Sequence, residues 1–89
     1  MPNRNEILEA AAETMKARGN EYGDVALNWT RTATIVSGII GDKLREPLAP
    51  ADVGRIMIGI KLARLMESPG HTDSLVDLCG YAALIAEVE

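Results

Sequence analysis

Apolar residues recur along this chain with the period of a helix. In the first stretch Ile7, Leu8, Ala11, Ala12 and Met15 share one side, and Glu6, Glu9, Glu13 and Lys16 share the other. That pattern predicts a helix from about Asn5 to Arg18. Asn3 and Glu6 form a capping pair ahead of it, and Gly19 supplies a stop. A second helix begins at Asp24, a good N-cap residue placed after the turn-forming Gly23. Val25, Trp29, Thr32, Ala33, Val36, Ile39 and Ile40 follow at helical spacing, and Gly41-Asp42 ends the run. The β-branched residues leave a strand open for Thr34 to Ile40, but the spacing over the whole stretch favours a helix.

Pro47 and Pro50 punctuate the next loop, and Pro50 suits the first turn of a helix. From Pro50 to Met66 the chain is apolar almost all round, through Val53, Ile56, Met57, Ile58, Ile60, Leu62, Ala63, Leu65 and Met66. A helix of that kind is expected to be buried on most sides. Gly54 and Gly59 each cost it roughly 1 kcal/mol relative to Ala unless a neighbour packs closely there. Ser68-Pro69-Gly70-His71 reads as a turn. Thr72 or Asp73 then caps a last helix that carries Leu75, Val76, Leu78, Cys79, Ala82, Ala83, Ile85 and Ala86. The expected architecture is all-α: a single helical domain, residues 1–89, with four helices in an antiparallel bundle-like arrangement.

Composition narrows the possible functions. A chain of 89 residues is one domain's worth and supports only a modest core. A formal net charge of −4 argues against wrapping a phosphate backbone, so no nucleic-acid partner is expected. Trp29, Tyr22 and Tyr81 are its only aromatic residues, too few for a base-stacking surface. Cys79 is alone, which removes any disulfide framework and points to a reducing cytoplasm. The N-terminus leads into no signal-like apolar run, and Lys61 and Arg64 interrupt the longest apolar stretch, so no membrane partner is expected.

The informative anomaly is that same pair of cations. Lys61 and Arg64 lie three residues apart, about 60° round the most apolar helix. Buried cations call for acids. Asp73 and Asp77 on the next helix share one face, with Tyr81 a turn further on. A hairpin of the two helices would gather these residues into one polar cluster. Such a cluster either fixes the register of the hairpin, with Asp73 merely capping, or lines a small-molecule pocket with Lys61 and Arg64 as anion contacts. A second candidate is Tyr22-Gly23-Asp24 with Asn28, beside a helix N-terminus where an anion could meet free N–H groups, although Asp24 itself repels an anion. Glu6, Glu9 and Glu13 form a carboxylate row that reads as a solvated face rather than a Mg²⁺ site. One histidine, His71, and one cysteine exclude a zinc site within the chain, and no catalytic or metal-binding residue is assigned.

Two stretches carry a resemblance: Tyr22-Gly23-Asp24 followed by Asn28-Trp29, and Lys61-Leu62-Ala63-Arg64 followed by Asp73-Ser74 and Asp77-Leu78-Cys79-Gly80-Tyr81-Ala82. The chain resembles a family of short, uncharacterised proteins encoded by bacteriophages and prophages, over nearly its whole length. That family is distantly similar to MazG-like all-α nucleotide pyrophosphohydrolases. Those enzymes hold Mg²⁺ with a Glu-x-x-Glu motif and a later Glu-x-x-Asp motif. This chain has Glu6-x-x-Glu9 and no later Glu-x-x-Asp. The resemblance implies a phage accessory protein, in the host cytoplasm, that binds a nucleotide or nucleotide-like signal without turnover, for instance to sequester a host defence signal. Lys61, Arg64 and Tyr81 would contact that ligand, and Asp73 and Asp77 would orient them. No cofactor is expected under that reading. The alternatives are an interaction module docking on a host or phage protein, and a divergent pyrophosphohydrolase using Mg²⁺ at Asp73, Asp77 and Glu13. The apolar circumference of the third helix further predicts a homo-oligomer, most simply a two-fold dimer.

Overall fold

The computed structural model describes residues 2–22 and 24–89, with side chains throughout except at 19–22. Four helices fill that range: α1 (Arg4–Tyr22), α2 (Val25–Ile40), α3 (Pro50–Glu67) and α4 (Thr72–Val88), with a single 3-10 turn at Gly41–Lys43. The expected all-α fold is the observed one, and Thr34 to Ile40 is helical. Thr30, Thr32 and Thr34 return their hydroxyls to carbonyls four residues back, which satisfies them within the helix.

Local chemistry sets most helix starts. Asn3 and Glu6 exchange reciprocal hydrogen bonds between side chain and backbone at the head of α1. Asp24 Oδ1 accepts the Ala26 N–H at 2.9 Å and caps α2. Pro50 opens α3, where Asp52 Oδ2 accepts the Ala49 N–H at 2.8 Å. That bond from the Ala49 backbone, more than the adjacent Arg55 guanidinium, holds the Asp52 carboxyl below its usual range. Two boundaries differ from the sequence expectation. α1 runs through Gly19 to Tyr22. α4 is capped neither by Thr72 nor by Asp73 but by His71, whose Nδ1 accepts the Ser74 N–H and lies 2.7 Å from Ser74 Oγ.

Cross-chain contacts give the layout. Lys61 pairs with Asp77 and Arg55 with Glu89, so α3 and α4 run antiparallel. Arg18 pairs with Asp77, and Met15 approaches Gly80, so α1 runs antiparallel to α4 on its other side. Trp29 lies against Gly54, and Ser37 accepts the Leu48 N–H at 2.8 Å, which sets α2 antiparallel to α3. In space the order is therefore α1, α4, α3, α2. The core centres on Trp29, Ala33 and Val53, bordered by Val25, Leu48, Met57, Tyr81, Leu84, Ile85 and Val88.

Gly54 admits the indole. A Cβ there would stand 2.7 Å from Trp29 ring atoms and 2.6 Å from Ile85 Cγ1. Gly59 has no such neighbour: nothing lies within 4 Å of its Cβ position. The expectation that α3 is buried on most sides is also corrected. The side bearing Ala51, Val53, Gly54, Met57, Ile58, Lys61 and Leu65 is covered, and Ile56, Ile60, Leu62 and Met66 are exposed. Its all-round apolar pattern carries no phase, so periodicity could not show which side its two neighbours leave open.

Candidate functional site

Because α1 and α2 flank the α4–α3 hairpin, a cleft opens between them. Its volume is about 840 Å³, within the range of small-molecule sites. All four helices contribute to its lining: Arg18 from α1, Asp24 and Asn28 at the start of α2, Lys61 from α3, and Asp77, Tyr81 and Glu87 from α4. Ala11, Met15, Val25, Val76 and Leu84 supply apolar wall.

Asp77 organises the polar end. One carboxylate oxygen lies 3.0 Å from Lys61 Nζ, and the other lies 3.5 Å from Arg18. The Asp77 side chain is 12% exposed, Lys61 24% and Arg18 49%, so the cluster runs from the protein interior out to the cleft mouth. Two cations share one acid, so this end of the cleft keeps unspent donors, while Asp24 and Glu87 elsewhere on the lining bring the whole to two cations against three carboxylates. Tyr81 lines the same cleft one turn along α4 while also packing on the Trp29 cluster.

The expected residues divide. Lys61, Asp77 and Tyr81 come together, and so do Asp24 and Asn28 at the other side of the cleft. Asp24 already occupies the Ala26 N–H, so this helix end meets its own carboxylate rather than a free anion. Arg64 is not part of the cluster: it is exposed and has no acid within 4 Å among the described residues. The rotation of about 60° between positions 61 and 64 carries it off the face that α4 covers. Asp73 is likewise exposed in the first turn of α4 and joins no ion pair among the described residues. The Tyr22 side chain lies outside the described residues. Arg18 takes the place expected of Arg64. The sequence marked Arg18 only as the end of the first helix, and the packing of α1 on α4 brings it to Asp77.

The arrangement does not fit a divalent cation. Among the described residues no three His, Cys, Asp or Glu side chains gather as a metal site. Asp77, the innermost acid, is already committed to two cations, which disfavours a third. Glu6 is bound to Asn3, and Glu13 faces Lys16 at 3.7 Å on the exposed side of α1.

Residues 6–89 match the family model described as a domain of unknown function, DUF6378. The chain belongs to the DUF6378 family. It is also similar to two mycobacteriophage proteins, each named Gene 55 protein. That of Mycobacterium phage L5 is 36% identical over 84 residues, covering 93% of this chain and 52% of the relative. That of Mycobacterium phage D29 is 31% identical over 83 residues, covering 92% of this chain and 52% of the relative. This DUF6378 chain thus spans about half the length of the curated relatives it matches, and those relatives are phage proteins. No solved structure matches it. Among the described residues, no helix is long and apolar enough to cross a membrane.

Proposed function

We propose that this DUF6378 domain binds a small anionic, nucleotide-like ligand in the cleft between α1 and α2 and holds it without turnover. The observation that carries the reading is the convergence of Arg18 and Lys61 on the single carboxylate of Asp77 at the cleft wall. A phosphate entering there accepts from both cations, while Asp77 keeps each cation in place. Tyr81 and the apolar wall of Val76, Leu84 and Val25 offer a less polar flank for a base or ring. Binding without turnover is supported by Asp77 being tied to two cations, which makes it a poor ligand for a divalent metal. In a phage protein, stoichiometric capture of a host signalling nucleotide is a use that fits such binding.

The test is a thermal-shift panel of mono-, di- and cyclic nucleotides, with and without Mg²⁺. Stabilisation by a ligand at a hundredfold excess over its Kd amounts to about 2.7 kcal/mol, a clear shift for a domain of this size. A metal-independent shift with the nucleotide recovered unchanged is the expected result. Mg²⁺-dependent release of pyrophosphate would replace this reading with the pyrophosphohydrolase alternative. No shift with any nucleotide would leave docking on another protein as the function.

A further inference from the structure

Charge on the rest of the cleft lining limits what the Arg18–Lys61 seat can hold. Asp77 is spent on those two cations, but Asp24 and Glu87 line the same cleft, and neither joins an ion pair among the described residues. One Asp24 oxygen accepts the Ala26 N–H at 2.9 Å, which fixes that carboxylate at the head of α2. Glu87 stands in the last turn of α4, about 15 Å along the helix from Asp77, where the unpaired carbonyls add negative potential. Arg18 and Lys61 are the only cations of the described lining. The chain around it is acidic too, with a formal net charge of −4.

We infer that Asp24 and Glu87 set the charge class of the ligand: the cleft takes a nucleotide whose phosphate is a singly charged phosphodiester and turns away di- and triphosphates. That selectivity rests on the ligand-binding reading of the cleft. Two cations cover one phosphate group. A second or third phosphate leaves the Arg18–Lys61 seat and finds no further lysine or arginine on the described lining, only Asp24 toward α2 or Glu87 toward the end of α4. Both carboxylates are exposed, so each repels modestly, and more strongly as salt is lowered. Like charges set against the wrong ligand are a standard route to specificity.

A phosphodiester avoids that conflict, because its one negative charge is met at the seat. The second Asp24 oxygen, the Asn28 amide and Glu87 then serve as acceptors for the amino and hydroxyl donors of a base and ribose. The same two carboxylates that repel a polyphosphate thus suit the other end of a singly charged nucleotide.

Calorimetric titration in the absence of divalent cations tests this. The 3′,5′-cyclic monophosphate and the 5′-triphosphate of each common base are titrated into the intact chain and into its Asp24→Asn/Glu87→Gln variant. Asn caps a helix as well as Asp does, and Glu87 is exposed, so the variant keeps its helical circular dichroism. For the base that binds best, wild type is expected to hold the cyclic monophosphate about tenfold or more tightly than the triphosphate, the size expected when extra phosphates meet two exposed like charges. The double variant should shrink that ratio to about threefold or less. A triphosphate held as tightly as its cyclic monophosphate by wild type overturns the inference and leaves the ligand-binding reading standing. A preference that the double variant keeps unchanged does the same. Binding of neither class, for any base, overturns the ligand-binding reading itself and this selectivity with it.

Discussion

Gly54→Ala is the sharpest perturbation of the core, because two effects of known sign oppose each other there. In a helix interior, replacing Gly by Ala normally stabilises by about 1 kcal/mol. At position 54 the new methyl would meet the Trp29 ring at 2.7 Å and Ile85 Cγ1 at 2.6 Å. The Trp29 ring is flat, rigid and 7% exposed, so it cannot rotate away cheaply and α2 must shift relative to α3. Overpacking of a well-filled core costs typically 1–3 kcal/mol, and a contact this short belongs at the upper end. The net expectation is destabilisation by about 1–2 kcal/mol, or roughly 4–16 °C in Tm for a domain of this length. Gly38→Ala on α2 is the control, since nothing lies within 4 Å of its Cβ position. It should stabilise by about 0.5–1 kcal/mol. Chemical unfolding followed by circular dichroism and by Trp29 fluorescence reads both. If Gly54→Ala were as stable as Gly38→Ala, Trp29 would not be seated on α3, and the order α1, α4, α3, α2 would lose its main support.

Other expectations follow from the same contacts. Asp77→Asn should destabilise by about 1–3 kcal/mol, between the values for exposed and fully buried pairs, because it leaves the half-buried Lys61 without its partner; an unchanged denaturation midpoint would show the cluster to be fully solvated. His71→Ala removes the α4 cap and the partner of the buried Ser74 hydroxyl, and should cost about 1–3 kcal/mol, read as a fall in Tm. The Asp52 carboxyl is held below its usual value in the fold, so its contribution is present above the unfolded pKa and is lost as pH falls through the folded one. Wild type should therefore lose stability relative to Asp52→Asn as pH falls below about 4, and a difference independent of pH would refute the assignment.

Interactions within a few residues were the legible part of this fold. The Asn3–Glu6 pair, the Asp24 cap and Pro50 at a helix start each rest on side chains meeting backbone groups no more than three residues away, and each stands where spacing set it. His71 escaped notice because imidazole is an uncommon cap and the preceding Ser68-Pro69-Gly70 reads as an ordinary turn. On α1 the expected apolar side included Leu8 and Ala12, yet both are exposed. Among the described residues α4 is the main neighbour of α1, and one such neighbour covers a narrower stripe than the sequence offers. The site was half legible for the same reason. Lys61 and Asp77 sit on consecutive helices joined by a short turn, so a hairpin pairs them. Choosing between Arg64 and Arg18 required the phase of α3 and the placement of α1 across α4, neither of which periodicity contains.

Under the proposed function Arg18 and Lys61, and not Arg64, hold the ligand's anionic group. Calorimetric titration of the nucleotide that gives the largest thermal shift, into wild type, Arg18→Gln, Lys61→Gln and Arg64→Gln, tests it most directly. Loss of a charge-assisted contact to phosphate is worth about 1.5–3 kcal/mol, so Arg18→Gln and Lys61→Gln should each weaken binding by roughly tenfold or more. Arg64→Gln should bind as wild type does. Equal affinity in wild type and Arg18→Gln, with binding lost instead in Arg64→Gln, would move the site off the cleft.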